Sequence, residues 1–500
     1  MKYEPVIGLE VHAELNTKTK MFCASLNDPL EHHPNINICP VCMGHPGTLP
    51  VINREAVLKV IRVGLALGGS ISSFSQFDRK NYFYPDLPKG YQISQYQHPI
   101  VLGGMLNGVR ITRVHLEEDA ARLVHTEGSP SNSSGRSATL IDYNRAGVPL
   151  MELVTEPDIR TAAGARLFAE QLRTLLRYVN ASDADMEKGQ MRIEANISLR
   201  EIADPRGVDA DSRGMPFGTK VEVKNINSFR AVEKAILYEI ERQADVLEKG
   251  EKVIQETRGW DDINEITISQ RLKESAHDYR YFPEPDLPPL HLTKEKGFDI
   301  DALKAEIPEL PAAKRERFTK EYGLSEKMVL FFVEDRAFAA FYEEASSELK
   351  EWMSGDDGGF KKASVILGNY LTSDLQNLLT QKSADVSDMR ITPENMAELI
   401  KMIYNNEISS RAAKDILARM FADGSDPSTI VQEGGLKQVS DAGTLEVTVK
   451  KIIEENPKLV TDYKNGKEAV LQVLVGKVMK ETNGAANPEV VRGLLTNMLE

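Results

Sequence analysis

Glu10 and His12 stand two residues apart in Val6-Ile7-Gly8-Leu9-Glu10-Val11-His12-Ala13-Glu14-Leu15, a run that alternates apolar and polar residues. Read as a strand, it puts Leu9, Val11, Ala13 and Leu15 on one face and Glu10, His12 and Glu14 on the other. A carboxylate and an imidazole on one face can ligate a cation, or they can simply face solvent. Further acids lie inside apolar runs: His115-Leu116-Glu117-Glu118-Asp119, Met151-Glu152-Leu153-Val154, and Arg192-Ile193-Glu194-Ala195-Asn196. A buried carboxylate needs a cation, which a basic side chain or a metal ion can supply. Arg145, Arg192 and Lys224 are the basic candidates. Several carboxylates with one histidine suit Mg²⁺, which takes oxygen ligands and keeps waters for substrate phosphates.

A second group is Cys23, Cys39 and Cys42, the only cysteines of the chain. Three thiols clustered early are no disulfide framework. Cys39-Pro40-Val41-Cys42 with Cys23 nearby resembles a structural Zn²⁺ site lacking its fourth ligand. Ser25 stands where a Cys-x-Cys partner would be, and His32, His33 and His45 are near in sequence. Zinc and an empty site both remain open on this reading.

The third group is the segment from Phe77 to Gln95. It carries Arg79 and Lys80, Tyr82, Phe83 and Tyr84, then Lys89 and Tyr91-Gln92-Ile93-Ser94-Gln95. Aromatics interleaved with basic residues suit stacking on bases and neutralising phosphates. A second segment, Asp278 to Pro288, repeats the order aromatic, aromatic, Pro, acid, Leu, Pro. The two read as halves of one site. Neither a Gly-x-x-x-x-Gly-Lys-[Ser/Thr] loop nor a strand-to-helix Gly-x-Gly-x-x-Gly is present, so nucleotide binding here would use neither a P-loop nor a Rossmann turn.

The elements that must hold these residues are mixed in the first 290 positions. Asn53, Thr161 and Ser228 each precede an amphipathic helical run, and Lys220 to Lys224 alternates as a strand. Prolines at 283, 285, 288 and 289, then 308 and 311, mark a boundary. Beyond it the strand signal fades. Thr392-Pro393-Glu394 and Asn487-Pro488-Glu489 each read as cap, proline at the first helical position and acid in the first turn. The expected fold is α+β: a mixed-sheet cradle domain over 1–292, an all-α helical domain over 293–405 and a small all-α tail over 406–500. The net charge of −14 over 500 residues argues against coating DNA. Residues 401–500 hold 13 basic and 14 acidic residues, so the acidity lies in the body and the tail is free to meet a phosphate backbone. No apolar run approaches a membrane span, and the N-terminus lacks a leader pattern, so a cytoplasmic protein is expected.

Taken together, Gly8 to His12, Phe77 to Gln95, Leu116 to Ala120, Asp142 to Glu152, Glu156-Pro157-Asp158, Glu194 to Asn196, Lys224 to Ser228 and Asp278 to Pro285 resemble the B-subunits of tRNA-dependent amidotransferases over nearly the whole chain. The resemblance implies an ATP-dependent enzyme component that phosphorylates the side-chain carboxylate of mischarged Glu-tRNA(Gln) or Asp-tRNA(Asn) and amidates it with ammonia. It implies two partners in a heterotrimer, an amidase (glutaminase) A-subunit and a small C-subunit. It gives Glu10, His12, Glu118 and Glu152 a shared role as Mg²⁺ ligands, with Glu194 and Asn196 as further candidates. Arg79, Lys80, Lys89 and Lys224 would neutralise phosphates, and Tyr82, Tyr84 and Tyr91 would stack on adenine or the acceptor end. Zinc-bearing members of the family have a cysteine where this chain has Ser25, so the resemblance leaves Zn²⁺ at Cys23, Cys39 and Cys42 open. A non-catalytic tRNA scaffold is the competing reading; embedded acids near a polyanion speak against it. A zinc hydrolase at the cysteines is weaker still, because thiolate-rich sites close around the metal.

Overall fold

The computed structural model describes residues 2–126, 138–202, 217–272, 279–436, 442–482 and 486–499. The chain forms two compact units, Met1–Leu310 and Pro311–Glu500.

The first unit is built on a ten-stranded mixed sheet. Its centre is β1 (Tyr3–Glu14), flanked by β3 (Pro149–Thr155) and β4 (Met191–Glu201); β2 (Val109–Glu118) lies beyond β3, and β5 (Val221–Ile226) lies beyond β4. These pairs are all antiparallel. Only β5 and the strand Glu256–Asp261 run parallel among the described pairs. Three helices, α1 (Arg54–Ala66), α2 (Ala162–Tyr178) and α3 (Phe229–Glu248), contribute to the apolar core of this unit.

Alternation in β1 holds as expected. Leu9, Val11, Ala13 and Leu15 are all buried in this core. Glu10, His12 and Glu14 therefore point to the opposite face. Each helix starts where the sequence places a cap. The Asn53 side chain accepts from the backbone N–H groups of Glu55 and Ala56, Thr161 accepts from Gly164, and Ser228 accepts from Ala231. Such caps satisfy donors that the first helical turn leaves open. After α1 the chain turns at Gly68, whose φ of +69° a side chain would strain.

The two aromatic-proline segments, about two hundred residues apart, do meet. Asp78–Asn81 pairs with Tyr91–Ser94 on one side and with Phe282–Pro283 on the other, in a separate three-stranded sheet. Leu87 and Leu287, at matching places in the two segments, are both buried. Asp278, the first residue of the second segment, lies outside the described residues.

The structure corrects the start of the helical region. Phe298 and Leu303, expected in the 293–405 domain, belong to the first unit's core. The proline pair at 308 and 311 brackets the junction between units, and the earlier proline cluster does not. The second unit is helical among its described residues. One apolar cluster runs from Phe318 to Ile430 and another from Leu445 to Leu499. The helices Ser410–Asp423 and Pro427–Gly434, expected to open the tail, pack into the earlier cluster through Ile416, Leu417, Met420 and Ile430. Thr392 caps its helix as expected, with Pro393 at the first position. No described helix is long and apolar enough to cross a membrane.

Candidate active site

Strand register decides which acids converge. His12 on β1 is directly opposite Glu152 on β3, and Glu152 is directly opposite His115 on β2. Directly opposed residues share a face, so the three side chains form a row across three strands. Glu10 lies on the same face of β1, paired with Glu194 of β4. Glu117 lies on the same face of β2 as His115.

The polar atoms of this row are close. His12 Nε2 is 3.4 Å from Glu152 Oε2, 3.5 Å from Glu117 Oε1 and 3.8 Å from Glu10 Oε1. His115 Nε2 is 3.3 Å from Glu152 Oε2. Two overlapping groups, Glu10 with His12 and Glu152, and His115 with Glu117 and Glu152, each bring one donor atom per residue to within 4.8 Å. Such a set of oxygens and imidazole nitrogen matches a hard divalent cation that keeps part of its water shell. The residues present fit Mg²⁺.

The electrostatics of this cluster favour bound protons. Burial disfavours a charged His12, but its hydrogen bond to Glu152 and the charges of Glu152, Glu117 and Glu10 outweigh it and raise the imidazole to about 9. Burial and the neighbouring Glu152 charge raise Glu10 to about 7. Glu152 is also buried, yet His115 and His12 hold its carboxyl well below the ordinary range. The cluster thus holds protons where a divalent ion would place charge.

Other sequence candidates are placed differently. Glu118 does not join the row. Its side chain turns away at the end of β2, takes Lys89 Nζ at 2.6 Å and accepts from the Ile93 N–H at 3.0 Å. Adjacent strand residues face opposite ways, and this separates Glu117 from Glu118. Glu194 is paired with Lys224 at 2.6 Å. Asp119 takes Arg192 at 2.7 Å and Arg145 at 3.5 Å; burial opposes its ionisation, but these cations hold it down at about 2. Ion pairs therefore account for Asp119 and Glu194, whereas Glu10, Glu117 and Glu152 gather round two imidazoles. Glu117 and His115 were not among the sequence candidates. Both stand two residues from others of their strand face, a signal hidden by the consecutive acids Glu117, Glu118 and Asp119.

Among the basic candidates, Arg79 grips Glu284 at 2.8 and 2.9 Å, reaches Asp286 at 3.2 Å and lies 4.3 Å over the Tyr91 ring. Glu284 is fully shielded, so this bidentate pair ties the two segments together. Lys89 and Lys224 are likewise engaged. Lys80 pairs with no carboxylate among the described residues. Burial works against its charge, but Glu117, Tyr281 and Glu152 raise its ammonium above the ordinary range. It faces the acidic row as an available cation. Tyr82 sits 6.0 Å from the Tyr279 ring, while Tyr84 and Phe83 are exposed on the same segment.

Cys23, Cys39 and Cys42 converge, with the Cys39 and Cys42 sulfurs 3.8 Å apart. Burial and the hydrogen bond from Cys23 act in opposite directions on Cys42; that bond and the nearby Lys20 bring its thiol down to about 5. The buried Lys20 ammonium is 3.8 Å from Cys42 Sγ. No fourth His, Cys, Asp or Glu joins this group among the described residues. Three sulfurs alone do not complete the tetrahedral set of structural zinc. With Lys89 and Glu118, Cys23 and Cys42 line a cavity of about 200 Å³.

Comparison with known proteins bears on the whole chain. The model of the GatB/GatE catalytic domain matches residues 5–297, and that of the GatB domain matches residues 360–499. The B-subunit of the aspartyl/glutamyl-tRNA(Asn/Gln) amidotransferase of Carboxydothermus hydrogenoformans is 44% identical over 506 residues, covering 100% of this chain and 99% of that protein. The chain belongs to the amidotransferase B-subunit family. The corresponding B-subunits of Persephonella marina and Thermotoga maritima are each 45% identical over 508 residues, with 100% of both chains covered. The catalytic-domain match spans β1 to β5 and both aromatic segments, so the acidic row lies inside the part of the B-subunit fold that carries that description.

Proposed function

We propose that this chain is the ATP-dependent, amide-forming component of a cytoplasmic tRNA-dependent amidotransferase. The observation that carries the reading is the acidic row, with Glu10, His12 and Glu152 converging on the sheet face opposite the core. A scaffold that only held a polyanion would gain nothing from gathering buried carboxylates there.

The substrate is a Glu or Asp side-chain carboxylate esterified, through its α-carboxyl, to the wrong tRNA. A carboxylate would have to expel oxide to become an amide. Its oxygen attacks the γ-phosphorus of ATP, the bond to the bridging oxygen breaks, and ADP leaves. Ammonia then attacks the acyl carbon, phosphate departs and one proton is released. The reaction class is carbon–nitrogen ligation with glutamine as nitrogen donor. Ammonia comes from a glutaminase A-subunit held by a small C-subunit. No protein nucleophile is required.

In this reading Glu10, His12, Glu152 and Glu117 hold Mg²⁺, which when bound neutralises charge on the transferring phosphoryl group. As a ligand His12 would present Nε2 without its proton. Lys80 supplies a fixed cation for the phosphates. Arg79, Lys89 and Lys224 act by holding Glu284, Glu118 and Glu194 in place. Tyr84 and Phe83 present open rings to a base. The helical tail from Ala442 onward contacts the tRNA body.

The test replaces ammonia by hydroxylamine in the assembled heterotrimer. Mischarged tRNA, ATP and Mg²⁺ should yield side-chain hydroxamate. Glu10→Ala and Glu152→Ala should abolish it while glutaminase activity persists. Wild-type yields in both variants would remove these residues from the phosphoryl site.

A further inference from the structure

The acidic row contains two imidazoles, and both approach one carboxylate oxygen. His115 is buried at 2% exposure, and its Nδ1 finds no hydrogen-bond partner among the described residues. Its Nε2 lies 3.3 Å from Glu152 Oε2, the same oxygen that His12 Nε2 approaches at 3.4 Å. The other oxygen, Oε1, has Arg113 at 3.6 Å. Glu152 is thus held on both oxygens, and one is shared between two rings.

These two rings cannot keep the same role once a cation is present. A ligand imidazole presents a lone pair to the metal, so His12 Nε2 then stops donating to Glu152. His115 is one strand further across the sheet, directly opposite Glu152 on β2. With no acceptor for Nδ1 among the described residues, only the tautomer carrying its proton on Nε2 gains a charge-assisted bond to Glu152. Resting on the cation reading above, we propose that His115 is the positioning residue of the centre: its Nε2–H holds Glu152 in its ligating orientation after His12 has been taken by the ion.

The row then has a division of labour between two histidines. His12 touches the ion. His115 acts through Glu152 and touches neither ion nor substrate. Outer donors of this kind orient first-contact ligands, and their loss typically costs about 10–100-fold in metal affinity.

Mn²⁺ alone is the probe, counted by electron paramagnetic resonance on the full-length chain. His115→Ala should weaken Mn²⁺ binding about 10–100-fold. His115→Gln, whose amide nitrogen can reach the place of Nε2, should recover most of that loss. His115→Ala with wild-type affinity would overturn the role. A purely structural role would lower the melting temperature of the cation-free chain in both variants and leave the Gln variant without recovery of affinity.

A second readout does not depend on the Ala variant folding. In wild-type chain labelled with ¹⁵N-histidine, Mg²⁺ should change the Nε2 signal of His12 and leave the His115 Nε2 protonated. Loss of the His115 Nε2 proton on adding Mg²⁺ would make it a ligand and overturn the positioning role alone. A wild-type chain that binds no Mn²⁺ would instead overturn the cation reading and this role with it.

Discussion

His12 and Glu152 face each other at directly paired positions of two antiparallel strands, with Nε2 and Oε2 3.4 Å apart. Backbone register alone fixes that meeting. A slip of one residue between β1 and β3 would send the carboxylate into the core. The pair therefore ties the chemistry of the row to the pairing of the sheet.

Proton competition with the cation follows from this pair. If the row holds Mg²⁺ as proposed, binding must displace the proton of His12, raised to about 9, and that of Glu10, raised to about 7. Apparent Mg²⁺ affinity should rise steadily from pH 6 to pH 9, with proton release on binding. Calorimetric titrations in two buffers of different ionisation enthalpy measure the protons released. His12→Asn should flatten the upper part of the rise. A pH-independent affinity would separate these groups from the cation.

The cation-free chain should show a matching pH dependence of stability. His12 and Glu10 both have folded values above their unfolded ones, so the folded state binds more protons than the unfolded. The His12 contribution is complete below about pH 6.5 and is lost as pH rises to about 9. For Glu10 the loss runs from about 4.5 to about 7. The melting temperature without divalent ions should fall across this window, and Mg²⁺ should restore it most at the alkaline end. Thermal scans with and without chelator test both signs.

Glu117 and Glu118 are neighbours with opposite expected phenotypes. Glu118→Gln breaks the pair with Lys89 and should cost of order 3 kcal/mol of stability, because it leaves a half-buried ammonium uncompensated. Its Mn²⁺ affinity should stay near wild type. Glu117→Gln should weaken Mn²⁺ binding with little loss of stability. Denaturant curves and Mn²⁺ titration on the two variants separate these outcomes; the reverse pattern would place Glu118 in the row.

Arg79→Ala should loosen the seam between the two aromatic segments. It leaves Glu284 buried without its bidentate partner, a change that costs about 3–5 kcal/mol in buried pairs. Hydrogen exchange should accelerate at Asp78–Asn81 and Phe282–Pro283 while β1 and β3 stay protected. Uniform exchange across the unit would mean that Arg79 supports the whole sheet.

A chain ended at residue 436 should stay folded, since Leu445 to Leu499 have their own apolar cluster. It should lose most of its tRNA affinity in filter binding, while the partner's glutamine hydrolysis continues. Unchanged tRNA affinity would move the contact elsewhere.

Much of this was legible in residue order. The alternation of β1, the three helix caps and the kinship of the two aromatic segments all appear as local patterns. Glu10, His12 and Glu152 could be selected because each sits in a short strand-like run. The choice of Glu118 over Glu117 could not be made locally. Three consecutive acids offer two faces, and which face meets His12 depends on the β3–β2 register, set more than thirty residues away in sequence. The boundary near 310 was similarly hidden. Proline clusters mark both 283–289 and 308–311, and only the burial of Phe298 and Leu303 shows which one ends the unit.

The Arg79–Glu284 link spans 205 residues. At a synthesis rate of about 5–20 residues per second, Arg79 waits about 10–40 s on the ribosome before its partner exists. Closing so long a loop also carries an entropic cost that earlier contacts must first offset. The seam beside the acidic row thus closes only after the strands that carry the row have been made. A nascent chain therefore has the strands of the acidic row long before Phe282–Pro283 can pair with Asp78–Asn81.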